Sequence, residues 1–419
     1  LHWRALSQIV RKLNFSRSYT VKRIVLALLF CVTCVPSAFA ESEKKLIHLG
    51  IDAPDIPSLP ANIRQIETAP FDGWTFSVTS DSPRGKERRF DFSWEGWGTR
   101  SFTKAELQNS VDALKATKFE KFTDNFIRFC TTPADVDWFE SDEAMLNNAR
   151  LAAWIARQGG VKGVLFDTEQ YKFPLFDYHK QKHASTKTYG EYAEQVRKRG
   201  SAVMRAFQEE YPDITILMLI GHWANYKYGY PNPSNPENHG KNAWNMWTND
   251  PKKLEFFEYG LLSPFIDGMV EAAGSNVKLV DGFEMTYMHL RNQEFVKARR
   301  IFLEHTKPFM KDPHRYFDVF TQGFGIFLDA QWLLDIDGKV FDLPGDHTLE
   351  FIGWNKTDFT NNYWQPDEIQ MSLTNALKHA DKYVWLYSER TWYWGPNKTI
   401  PPAYEQAIRN ARAAAGLPK

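Results

Sequence analysis

Cysteine is almost missing from this chain. Only Cys31, Cys34 and Cys130 occur among 419 residues, and two of them fall in the first forty. The remainder cannot hold an internal disulfide, and a chain of this length buries an ample core without one. Cys130 lies in an apolar, strand-like run and reads as a small core residue rather than a nucleophile. A Gly-rich phosphate cradle is also absent. The first apolar strand is followed by Asp52-Ala53-Pro54-Asp55, and no G-x-x-x-x-G-K-[ST] occurs. Long apolar runs are scarce, and the most prominent, Ile24 to Val35, is too short for a comfortable membrane span. Residues 1–40 contain no acid and six basic residues, which leaves 45 Lys and Arg against 51 Asp and Glu in the rest. A mildly acidic protein gives no reason to expect nucleic acid as a partner.

The N-terminal stretch has the layout of a secretory signal. Lys22 and Arg23 precede the apolar run, and Ala38-Phe39-Ala40 forms an A-x-A cleavage site before Glu41. The expectation is an extension plus signal peptide over residues 1–40 and a single catalytic domain over 41–419. The mature protein is expected to be secreted or periplasmic, with no stable membrane insertion once the signal is removed.

Aromatic residues are plentiful, at 15% of the chain with 15 Trp. That exceeds what a core needs, and Trp and Tyr in loops suit stacking on the flat apolar faces of sugar rings. Apolar strand patterns also recur in regular order. They begin at Lys45, Gly73, Asn125, Val161, Ile214, Val277, Phe317 and Tyr383, and helical patterns separate them. Thr103 with Glu106 three residues on is a capping box that opens one of those helices. Eight alternating units point to a parallel sheet closed as a (β/α)8 TIM barrel with long aromatic-rich loops. Two long insertions, roughly 223–250 and 331–365, fall in those loops and read as functional rather than as linkers.

In such a barrel the chemistry sits at the carboxyl ends of the strands. Acids dominate there: Asp52, Asp167, Glu169, Asp281, Glu284, Asp329 and Glu389, with Arg128 and His222 among them. The stretch V-K-G-V-L-F-D-T-E-Q-Y stands out, because with a two-residue period Asp167 and Glu169 share one face. Two acids on one side of a strand end are costly unless paired or used. Glycosidic bond cleavage uses such groups: one carboxylic acid protonates the leaving oxygen, and a second carboxylate serves as nucleophile or as base for water. Glu169 is the candidate acid and Asp167 its neighbour. Glu284 is the first candidate for the second carboxylate, because F-E-M-T-Y echoes F-D-T-E-Q-Y, and Glu389 is the second. Asp52, Arg128, His222, Trp223, Tyr287, Trp392 and Trp394 are candidates for substrate contact. No cofactor is expected, and no metal: His179 and His183 are spaced i, i+4, but Lys180 stands where the Glu of an H-E-x-x-H motif belongs.

The nine residues G-V-L-F-D-T-E-Q-Y resemble the fourth-strand signature of chitinase-like glycoside hydrolases (family 18 and its relatives), which ends in D-x-E. The resemblance implies Glu169 as general acid and Asp167 as a group that orients a substrate acetamido function. Gly163, Val164 and Leu165 occupy the region where that family carries further aspartates. In placing acids on the fourth and sixth strands the chain also resembles the α-galactosidase-like barrels, whose sixth-strand acid is Asp where this chain has Glu284. The expected function is therefore that of a secreted glycoside hydrolase acting on a poly- or oligosaccharide, with no specific family assigned. Two alternatives stay open: a non-catalytic carbohydrate-binding barrel, and a metal-assisted hydrolase or lyase.

Overall fold

A computed structural model describes residues 44–84, 88–226, 250–330, 354–360 and 362–417. The expected N-terminal signal, most of the 223–250 loop and much of the 331–365 insertion lie outside these residues. From Lys44 onward the chain forms one compact unit. Among the described residues no helix is long and apolar enough to cross a membrane.

The strands are β1 (Lys45–Gly50), β2 (Gly73–Phe76), β3 (Thr79–Arg84), β4 (Arg88–Asp91), β5 (Phe126–Cys130), β6 (Gly163–Asp167), β7 (Thr215–Met218), β8 (Lys278–Asp281), β9 (Phe320–Gln322), β10 (Phe324–Phe327) and β11 (Tyr383–Ser388). Nine of them form one sheet in the order β10-β11-β1-β2-β5-β6-β7-β8-β9, and every pairing in it is parallel. β9 and β10 are separated only by Gly323. They are two halves of one bent stave: the first half pairs with β8 and the second with β11. The ring is therefore closed, with eight staves. Each stave is followed by a helix: Leu59–Ile66, Lys104–Ala116, Glu143–Gln158, Tyr189–Glu210, Leu262–Ala272, Asn292–Arg300, Pro366–His379 and Pro402–Ala414. This is the (β/α)8 barrel that the alternating pattern predicts.

The staves are almost wholly apolar and buried, as β6 with its five buried residues illustrates. Side chains facing inward and side chains facing the helices both leave water, so the two-residue alternation of a half-exposed strand disappears. The end of the barrel where the strands begin is tied by polar groups. Arg412 makes two bonds to Asp72, at 2.6 and 2.8 Å, and Asp72 also accepts from the backbone of Leu46 at 2.8 Å. Tyr383 donates to Asp124 at 2.7 Å.

The stretch after β2 contains an antiparallel hairpin, β3–β4, which the sequence pattern does not announce. One local expectation is corrected. The sixth stave ends at Asp281, so Glu284 is not on a strand: it sits on a 3-10 turn, Glu284–Thr286, entered through a left-handed Phe283 at φ 46°. The likeness of F-E-M-T-Y to F-D-T-E-Q-Y is thus one of letters and not of backbone.

Candidate active site

The floor of the barrel mouth is an ion pair between neighbouring staves. Arg128 on β5 donates to Asp167 Oδ2 at 2.8 Å, and both side chains are largely buried. Parallel register places Arg128 beside Leu165 and Cys130 beside Asp167, so the long guanidinium reaches along β6 to its final carboxylate. Three more donors converge on Asp167. The backbone N–H of Glu169 reaches Oδ1 at 3.1 Å, while the Tyr171 hydroxyl at 3.1 Å and the Cys130 thiol at 3.6 Å reach Oδ2. Burial pushes the Cys130 thiol well up, which suits a proton donor and not a nucleophile.

Glu169 follows two residues later, past the end of β6. Burial first, then the charge of Asp167, pushes its carboxyl up to about 7. The Tyr171 hydroxyl and the Arg128 guanidinium act in the opposite direction, and Glu389 adds to the rise. Glu284 is also raised, by burial and then by the charges of Glu169 and Asp167. One oxygen of Glu284, Oε2, is buried without a protein partner, as is Nε of Arg128. Such atoms are costly unless something outside the protein satisfies them. Four tyrosines surround the acids. Tyr171 and Tyr287 reach Glu169 and Glu284 respectively, Tyr259 accepts from the backbone of Gln170 at 3.2 Å, and Tyr387 donates to Glu389 at 3.1 Å.

The structure therefore brings together Arg128, Asp167, Glu169, Glu284 and Tyr287, and holds Glu389 on the rim. Tyr287 also packs on Trp385, Phe327 and Tyr387, with ring centroids 5.2, 5.5 and 6.0 Å away. Four other candidates have internal partners. Asp52 is buried, with one oxygen on His48 at 2.7 Å and the other on the backbone of Tyr393 at 3.0 Å. His222 bonds Ser263 at 3.0 Å, and burial alone lowers its pKa to about 3. Trp223 is buried and donates to Asp281 at 3.0 Å. Trp394 is half-buried and donates to the carbonyl of Asp52 at 2.8 Å. Trp392 is half-buried, and its backbone bonds Thr399. Of the histidine pair, His183 lies 4.0 Å from Asp137 and His179 stacks on Phe256.

Three aromatic residues at the site are given no role by the sequence. Tyr171 lies four positions after Asp167, a spacing that a loop makes no more informative than any other. Trp94 sits on a short helix, Phe92–Glu95, whose cap Asp91 accepts from the Trp94 N–H at 3.2 Å. Tyr259 arrives from the far side of an insertion, and no local signal marks it.

No protein-family model matches the chain, and no curated protein does. Solved structures do resemble it in fold. One is active domain 2 of a thermostable chitinase from Pyrococcus furiosus, at 9% identity, covering 90% of this chain and 98% of that one, with a TM-score of 0.41. Another is a GH5-4 broad specificity endoglucanase from an uncultured bacterium, at 12% identity, 88% and 86% coverage, and a TM-score of 0.45. A third is a sugar phosphate isomerase/epimerase from Parabacteroides distasonis, at 11% identity, 88% and 97% coverage, and a TM-score of 0.33. Similarity at this level spans different chemistries and assigns none of them to this chain.

Proposed function

We propose that the protein is a secreted glycoside hydrolase whose chemistry runs on Glu169 and Glu284. The observation that carries this reading is the pair itself: two carboxyls at the mouth of a barrel, Glu169 raised by burial and by the charge of Asp167, Glu284 by burial and by the charges of Glu169 and Asp167. Arg128 is bonded to Asp167 and offsets only part of the acidic charge around the pair. Like-charged neighbours of this kind retain a proton between them near neutral pH. One member is then an acid and the other a base or nucleophile at the same pH, which is what glycosidic cleavage requires.

Glu169 donates its proton to the glycosidic oxygen as the bond from that oxygen to the anomeric carbon breaks. Glu284, ionised at that moment, either forms a bond to the anomeric carbon or takes a proton from the water that attacks it. Asp167 stays in its ion pair and supplies the negative charge that keeps the proton on Glu169 until it is needed. Oε2 of Glu284 and Nε of Arg128 are buried without a protein partner. A reversed assignment, with Glu284 as the acid, draws on the rise that burial and the charges of Glu169 and Asp167 produce at Glu284.

Incubation with cello-, xylo-, manno- and chito-oligosaccharides tests the reading. Wild type is expected to cleave at least one of them. Glu169→Gln and Glu284→Gln should each lower turnover about 100- to 10,000-fold while leaving the fold intact. Binding without cleavage by wild type would instead make the chain a carbohydrate-binding barrel. Export belongs to the same proposal, and N-terminal sequencing of the protein from the culture medium or periplasm should begin at Glu41.

A further inference from the structure

A closed circuit of side chains runs beside Glu169. Arg128 bonds Asp167 at 2.8 Å and lays its guanidinium over the Trp94 ring, 4.3 Å from the centroid. Trp94 meets Tyr171 edge to face at 5.0 Å, and the Tyr171 hydroxyl returns to Asp167 at 3.1 Å. Every member is fixed by two others. Trp94 is held further by its helix cap and by the Thr132 hydroxyl, which donates to its carbonyl. Yet Tyr171 is 45% exposed, although its hydroxyl points inward among the acids. An aromatic ring open to water while its polar end is fully engaged is unusual, because the open part is the apolar part. Trp94 beside it is half-buried.

We propose that Trp94 and Tyr171 form a rigid aromatic subsite for a pyranose ring next to the scissile bond, and that the Tyr171 hydroxyl is a positioning group for Glu169. The ring supplies the surface and the hydroxyl ties that surface to the acid, so a sugar seated on it is placed against the proton donor. The occupant is an uncharged or weakly charged sugar. Asp91, Glu95, Asp167, Glu169 and Glu389 lie around the platform, and the Arg128 charge is already committed to Asp167. This extends the glycosidase reading to a substrate contact, and its test does not depend on turnover.

Two variants separate the roles of the one residue. Tyr171→Phe keeps the ring and removes the hydroxyl. Oligosaccharide affinity should stay within about twofold, while the Glu169 carboxyl should titrate higher than in wild type, because the bond that lowers it is gone. Carbon-detected NMR of glutamate-labelled protein reads that titration, with Glu169→Gln identifying the signal. Tyr171→Ala and Trp94→Ala remove the platform. Calorimetry with the four oligosaccharide series should show affinity falling about tenfold in each, the usual loss for an aromatic anchor. An unmoved Glu169 titration in Tyr171→Phe would overturn the positioning role. Unchanged binding in both alanine variants, or no binding of any series by wild type, would overturn the subsite. If wild type binds but does not cleave, the glycosidase reading fails and these two measurements still decide the subsite.

Discussion

Glu169 is a carboxyl with two opposed demands on it. It must be buried enough to hold a proton near neutral pH, and burial of an ionised acid is unfavourable to folding. The two are linked by proton binding. Its folded pKa, about 7, lies above the ordinary value of 4.5. The folded state therefore binds the proton more tightly than the unfolded state does. The stability this gives is full below pH 4.5 and is lost as pH rises through 7. Glu169→Gln removes that loss. Urea unfolding should find the variant about 1–3 kcal/mol more stable than wild type at pH 8, with a smaller or reversed difference at pH 4.5. A difference that does not change with pH would mean that Glu169 ionises freely in the fold. The same residue-scale view explains why Asp52 and His222 leave the site. At a strand end, sequence cannot tell an acid that faces the mouth from one that pins a loop. Asp52 does the latter, holding the loop that bears Trp392 and Trp394 through Tyr393.

At the scale of elements, the polar device that the sequence marks best is a local one. Thr103 and Glu106 form the capping box that their spacing predicts, with bonds in both directions. Thr103→Ala should lower stability by about 1 kcal/mol in thermal or urea unfolding. Devices between elements are silent in the sequence. Gly200 and Gly268 bring their helices, Tyr189–Glu210 and Leu262–Ala272, so close that a Cβ at Gly200 would lie 2.0 Å from the Phe265 carbonyl oxygen and one at Gly268 1.9 Å from that of Arg197. Backbone cannot yield as a flexible side chain can, so Gly268→Ala should destabilise by at least about 1–3 kcal/mol, although alanine is the better helix former. A neutral or stabilising result would show that the helices can part without penalty. Likewise Arg412, on the last helix, is the partner of Asp72 at the start of the barrel. Arg412→Met strands a buried carboxylate and should lower stability by about 3–5 kcal/mol without touching the mouth.

At the scale of the whole molecule, the barrel was legible because its signal repeats. Eight apolar strands separated by helices leave few topologies, and a misplaced boundary at one stave does not disturb the others. The bent seventh stave was not legible, since Phe317 to Leu328 reads as one strand region and Gly323 alone does not say where the pairing changes partners. The site was legible to the extent that it lies at the ends of two neighbouring strands. Asp167, Glu169 and their partner Arg128 come from adjacent staves and were all marked by their sequence positions. Glu284 was marked through a pattern likeness that the backbone does not share. Trp94, Tyr171 and Tyr259 were missed because their place at the mouth depends on where three separate loops fold, which no local spacing encodes.

The account rests most on the division of labour between Glu169 and Glu284. It is tested most directly by comparing each variant on a natural oligosaccharide and on the matching dinitrophenyl glycoside, whose leaving group needs no proton. If Glu169 is the acid, Glu169→Gln loses turnover of the natural substrate but retains that of the dinitrophenyl glycoside, whereas Glu284→Gln loses both. Retention by Glu284→Gln instead, or equal loss on both substrates in both variants, would contradict it.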